Sequence, residues 1–107
     1  MCGIFGFSMM RPVSMERVFR ILQKLEVHQL PQEPLPLGGY GAGVAILLND
    51  GTVLVEKVGK IDKSPAQLLP GMVKVKTASV LLGHVRMPSP EFMNTTKFKE
   101  TAQPYVV

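Results

Sequence analysis

Residues 42–59 read AGVAILLNDGTVLVEKVG. Two runs rich in valine, leucine and isoleucine flank Asn49-Asp50-Gly51. Asp-Gly between β-rich runs is a strong hairpin signal, because a tight turn needs residues that tolerate positive φ. With a hairpin at its centre, the fold class turns on what surrounds it. Just before it, residues 28–41 (HQLPQEPLPLGGYG) hold three prolines and three glycines and are expected to be loop. Before that, Met15, Val18, Phe19, Leu22 and Leu25 recur at helical spacing and make one apolar stripe. Ser14 is placed as the N-cap, Glu16 sits favourably in the first turn, and the helix is expected to end near Val27.

The two ends of the chain add strands. Residues 2–7 read as a short strand, with Ile4, Phe5 and Phe7 apolar and glycines between them. Ser64-Pro65 predicts a cap followed by proline at the first helical position, opening a short helix that Pro70-Gly71 stops. Residues 78–86 (ASVLLGHVR) read as a buried strand, and 87–103 as polar loop. Tyr105-Val106-Val107 then begins a new apolar run. The expectation is an α+β fold in which residues 1–107 form the N-terminal part of a longer domain.

Bulk properties narrow the class. With 107 residues, the chain fits one small domain at most. Apolar residues make up 46 % and charged ones 19 %, a globular rather than a disordered balance. The formal charge of +4 is spread over scattered lysines with no aromatic-interleaved basic stripe, which argues against a nucleic-acid partner. An anionic substrate or plain solubility accounts for that charge equally well. A single cysteine rules out an intrachain disulfide and a multi-cysteine metal site. The two histidines, His28 and His84, lack metal-ligand spacing. The first residues lack a basic n-region, and Arg11-Pro12 interrupts their apolar character, so they do not read as a secretory signal. The longest apolar run, 44–48, is far too short for a membrane span. An unprotected thiol suits a reducing cytoplasm.

Two places carry possible chemistry. Cys2 directly follows the initiator methionine in MCGIFGF. Removal of Met1 would leave Cys2 with both a thiol and a free α-amine, a nucleophile and a base in one residue. An α-amine titrates near ~7.7–8.0, within reach of general-base work. Against this stand a buried cysteine acting as a small hydrophobe and a frayed terminus. The second place is Gly83-His84-Val85-Arg86 at a strand end. An arginine there offers a planar fork for a carboxylate, or an ordinary surface ion pair. His84 taken alone reads as a core histidine. Gly39-Tyr40-Gly41-Ala42-Gly43 lacks the Lys-Ser/Thr of a phosphate loop and reads as a turn leading into a strand.

MCGIFGF, the helix, the Gly-rich entry into a hairpin, GHVRMPS and AQPYVV together resemble the class II glutamine amidotransferases, a branch of the N-terminal-nucleophile hydrolases. The resemblance covers nearly the whole chain. It implies a four-layer αββα sandwich, of which this chain holds the N-terminal portion. It further implies a glutaminase that converts glutamine to glutamate and ammonia through a cysteine thioester. Ammonia would pass to a synthase domain or subunit, with no cofactor, no metal and no membrane, and with oligomerisation open. Cys2 matches the family nucleophile and its α-amine the base. Arg86 matches the arginine that holds the glutamine α-carboxylate. Ser89 stands where the family has a threonine beside the substrate. LGGYGAG at 37–43 replaces the usual Arg-Gly-x-Asp motif and leans toward the glutamate-synthase-related branch. The family's Asn-Gly oxyanion pair and its later aspartate would follow AQPYVV. Two other readings stand beside this one: a non-catalytic interaction protein that keeps a degenerate amidotransferase half-domain, and a small metabolite-binding α+β module.

Overall fold

A computed structural model describes residues 2–60, 62–88, 98, 103 and 104. In chain order it contains β1 (Gly3–Ser14), α1 (Met15–Val27), β2 (Gly41–Leu47), β3 (Val53–Gly59), α2 (Pro65–Leu68) and β4 (Thr77–Val85). A single 3-10 turn over Leu69–Gly71 follows α2. The strands form one antiparallel sheet in the order β1-β4-β2-β3. The fold is thus a small α+β domain.

Local signals set most element boundaries. In the β2–β3 hairpin, Leu47 pairs with Val53. Gly51 takes φ +87°, and the Asp50 carboxylate accepts hydrogen bonds from the Thr52 N–H (3.0 Å) and hydroxyl (2.6 Å). α1 begins after Ser14, whose side chain makes no capping bond, and its last-turn neighbour His28 returns an N–H to the Leu25 carbonyl. Ser64 does cap α2, accepting from the Gln67 N–H at 3.3 Å, with Pro65 opening the helix.

β1 is longer than the expected strand over residues 2–7. Its register with β4 shifts between Ser8 and Val13, and pairing resumes at Val13↔Ala78 and Ser14↔Thr77. Met9, Met10 and Arg11 are exposed at this irregularity. Pro12 is tolerated because β1 is an edge strand, where a missing N–H breaks no ladder. β4 spans Thr77–Val85, so Arg86 lies one residue past the strand's end rather than inside it.

Cross-strand partners put their side chains on the same sheet face. One face carries Val85, Ala42, Val44, Leu81 and Ile46, all buried under the helices. Met15, Val18 and Leu22 of α1 complete this core, with Ala66 and Leu69 closing its α2 end. A Cβ on Gly3 would meet the Leu25 side chain at 2.8 Å, so the helix rests directly on β1 there. The other face carries Ile4, Leu82, Leu47 and Val53, and these are exposed: Ile4 at 62 % and Leu82 at 40 %. The sheet is therefore apolar on both faces, but helices cover only one. No helix among the described residues is long and apolar enough to cross a membrane.

Glu26, in the last turn of α1, is buried. Its carboxylate accepts from the Ser64 hydroxyl and from the Ala66 N–H (3.0 Å), while its carbonyl accepts from the Gly38 N–H (2.9 Å). One residue thus joins the end of α1, the start of α2 and the loop into β2.

Candidate active site

The site is built by the β1–β4 register. Gly3 pairs with Val85, so Cys2 and Arg86 follow one another's position at the same end of the sheet. The Cys2 sulfur lies 3.4 Å from the Met87 N–H, which donates to it, and the thiol points toward the Met87 carbonyl at 3.7 Å. The thiol is held by main-chain groups, yet Cys2 itself is exposed. Gly3 behind it has no room for a side chain against Leu25 and Val85, which fixes the direction from which β1 leaves Cys2.

Arg86 is held through its backbone. Its N–H donates to the Gly41 carbonyl (2.9 Å), and its carbonyl accepts from the Tyr40 N–H (3.0 Å). The loop before β2 thus continues the sheet ladder past the end of β4. Gly39, at φ +115°, allows the turn that brings Tyr40 into place. A Cβ on Gly38 would sit 2.7 Å from the Val85 Cβ and 2.9 Å from the Glu26 Cα. Close packing therefore explains Gly38 and the positive φ explains Gly39, and the stretch enters a strand as its sequence predicts. The Lys60 ammonium lies 5.0 Å from the centre of the Tyr40 ring.

His84 lies between Ile4 of β1 and Gly43 of β2 in the register. It is buried, as its sequence reading anticipates, but its Nδ1 has no hydrogen-bond partner among the described residues. Burial pushes its pKa below the usual 6.5, and the nearby Arg86 charge pushes in the same direction. Both effects favour the neutral ring.

The structure thus brings Cys2, His84 and Arg86 to one end of the sheet. Ser89 lies outside the described residues, as do Ala102 and Tyr105 of the AQPY segment. Gln103 and Pro104 are described, and Pro104 is buried. No group of three or more potential metal ligands occurs among the described residues. Two participants escape the sequence reading. The Met87 N–H leaves no trace in a side-chain pattern. Glu26 does leave one: a carboxylate in the last turn of a helix opposes the helix dipole, and so asks for a partner elsewhere.

No family model, curated protein or solved structure matches this chain.

Proposed function

We propose that Cys2 and Arg86 form the glutamine site of a class II glutamine amidotransferase. The observation that carries this reading is their placement together at one sheet end, with Cys2 exposed and its sulfur accepting a hydrogen bond from the Met87 N–H. Removal of Met1 frees the α-amine of Cys2. That amine takes the thiol proton as sulfur attacks the side-chain amide carbon of glutamine. The tetrahedral intermediate collapses, the C–N bond breaks, and the amine returns the proton to the departing nitrogen, releasing ammonia. Water then attacks the thioester, giving glutamate and restoring the thiol. Arg86 holds the α-carboxylate of glutamine with its planar fork. Ser89 is assigned a hydroxyl contact to the substrate, and ammonia passes to a synthase domain or subunit. The reaction uses no cofactor and suits a reducing cytoplasm.

The exposed apolar face of the sheet supports the same reading. An αββα sandwich stacks a second sheet there, and Ile4, Leu47, Val53 and Leu82 already present the apolar surface such stacking needs.

The test is covalent labelling with an electrophilic glutamine analogue, followed by mass analysis of the N-terminal peptide. The expected result is a single adduct on Cys2 in a chain lacking Met1, absent from Cys2→Ala. An adduct that persists in Cys2→Ala, or glutaminase activity in a chain that retains Met1, overturns the assignment.

A further inference from the structure

The sheet face opposite the helices is exposed along most of its length, but not at His84. Ile4 (62 % exposed) and Leu82 (40 %) share this face with His84, which is only 4 % exposed. Something covers the ring and leaves its neighbours bare. Gly43 pairs with His84 across β4 and β2, so the two sit side by side on this face. A Cβ built on Gly43 would fall inside the van der Waals shell of the Gln103 carbonyl oxygen. It would also lie 2.9 Å from the Gln103 carbonyl carbon and 2.8 Å from the Pro104 Cδ. Two of those three atoms are main chain and the third belongs to a rigid ring. A flexible side chain could turn aside, but these atoms cannot. Pro104 is buried in this position.

We infer that Gly43 is a positioning residue: its bare Cα seats Gln103–Pro104 on the sheet, and this pair roofs His84 next to Arg86. The kinetic consequence rests on the proposed glutaminase reading. The roof over His84 stands at the strand end that Arg86 follows, so lifting it is expected to alter how the substrate is held. The seat itself stands on geometry alone. Among the described residues, the charged or titratable groups in its surroundings include Arg86 and Cys2 at the sheet end, Lys57, which pairs with Gly43 from β3, and Lys60 over Tyr40.

The experiment uses the full chain, with and without Gly43→Ala, after circular dichroism and thermal unfolding establish that the variant folds. Ring proton signals follow the titration of His84, assigned with His84→Gln. The expected result is a midpoint that rises toward 6.5 in Gly43→Ala as the roof lifts. Glutamine hydrolysis is expected to lose about tenfold in kcat/KM, mostly through KM, a split that mere loss of folded protein would not give. An unchanged His84 midpoint in folded Gly43→Ala overturns the seat. A shifted midpoint with unchanged kinetics overturns the positioning role. If Gly43→Ala does not fold, Pro104→Gly decides by the same titration, because it removes the ring without adding an atom to β2. The kinetics are read in the complete domain that includes the Asn-Gly pair; a complete parent domain without glutaminase activity sinks the proposed function, while the titration still decides the seat.

Discussion

The Glu26 carboxylate accepts the main-chain N–H of Ala66 at 3.0 Å, between residues forty positions apart in sequence and both buried. It also accepts the Ser64 hydroxyl, the group that caps α2. A buried acceptor that serves two donors leaves both unsatisfied when it is removed, and each charge-assisted bond contributes roughly 1.5–3 kcal/mol. Glu26→Ala is therefore expected to lower unfolding stability by about 2–5 kcal/mol, read as a drop in the urea midpoint at unchanged slope. Glu26→Gln keeps one acceptor and should lose less. Equal stability of parent and Glu26→Ala would show that this joint contributes nothing.

His84 gives the fold a pH dependence of known sign. Its folded pKa lies below 6.5 because burial, then Arg86, disfavours the charged ring. Above 6.5 the ring is neutral in both folded and unfolded chains, so no stability is lost. Below 6.5 the unfolded chain takes up a proton that the folded chain resists. Stability therefore falls from 6.5 down to the folded pKa and then levels. Comparing urea midpoints at pH 7.5 and 5.5 in the parent and in His84→Gln isolates this contribution. A parallel decline in both proteins would assign the pH dependence to other groups.

The turn of the β2–β3 hairpin separates backbone conformation from packing. Gly51 and Gly71 both have open space where a Cβ would go, but only Gly51 has a positive φ, at +87°. An alanine at Gly51 has no atom to clash with, yet pays the left-handed penalty of about 1–2 kcal/mol. At Gly71 the same change meets no strain and restricts the unfolded chain, so it is expected to be neutral or to stabilise by up to ~1 kcal/mol. Thermal unfolding of the two variants side by side checks this. A Gly51→Ala variant as stable as Gly71→Ala contradicts the turn geometry.

These three cases also mark where the sequence was legible. The hairpin, α1 and the Ser64 cap rest on neighbours a few residues apart, and Asp50-Gly51, the apolar stripe of α1 and Ser64-Pro65 announce them directly. The second half of β1 is different. Its pairing with Thr77 and Ala78 depends on a strand more than sixty positions away, and Pro12 reads locally as a stop. Glu26 and Gly43 are likewise decided by distant partners, Ala66 in one case and Gln103 in the other. The meeting of Cys2 with Arg86 was implied by resemblance alone. The register supplies a physical route to it, because antiparallel pairing of Gly3 with Val85 carries the flanking residues to the same edge.

The last expectation concerns Arg86. Its backbone is tied to Gly41 and Tyr40, so its position survives replacement of the side chain. Arg86→Lys keeps the charge and most of the length. It loses the planar fork that can donate two parallel hydrogen bonds to a carboxylate. Losing one charge-assisted bond of roughly 1.5–3 kcal/mol corresponds to about 10- to 100-fold in affinity. The contact is made before and during attack on the distant amide, so the loss should fall mainly on KM, with kcat little changed. Labelling of Cys2 by a small electrophile without a carboxylate should be unaffected, because that reaction needs the thiol and not the clamp. Labelling by the glutamine analogue should slow in proportion to the rise in KM. If Arg86→Lys binds glutamine as well as the parent, the guanidinium is not the carboxylate clamp. If both electrophiles slow equally, Arg86 acts on the thiol rather than on the substrate.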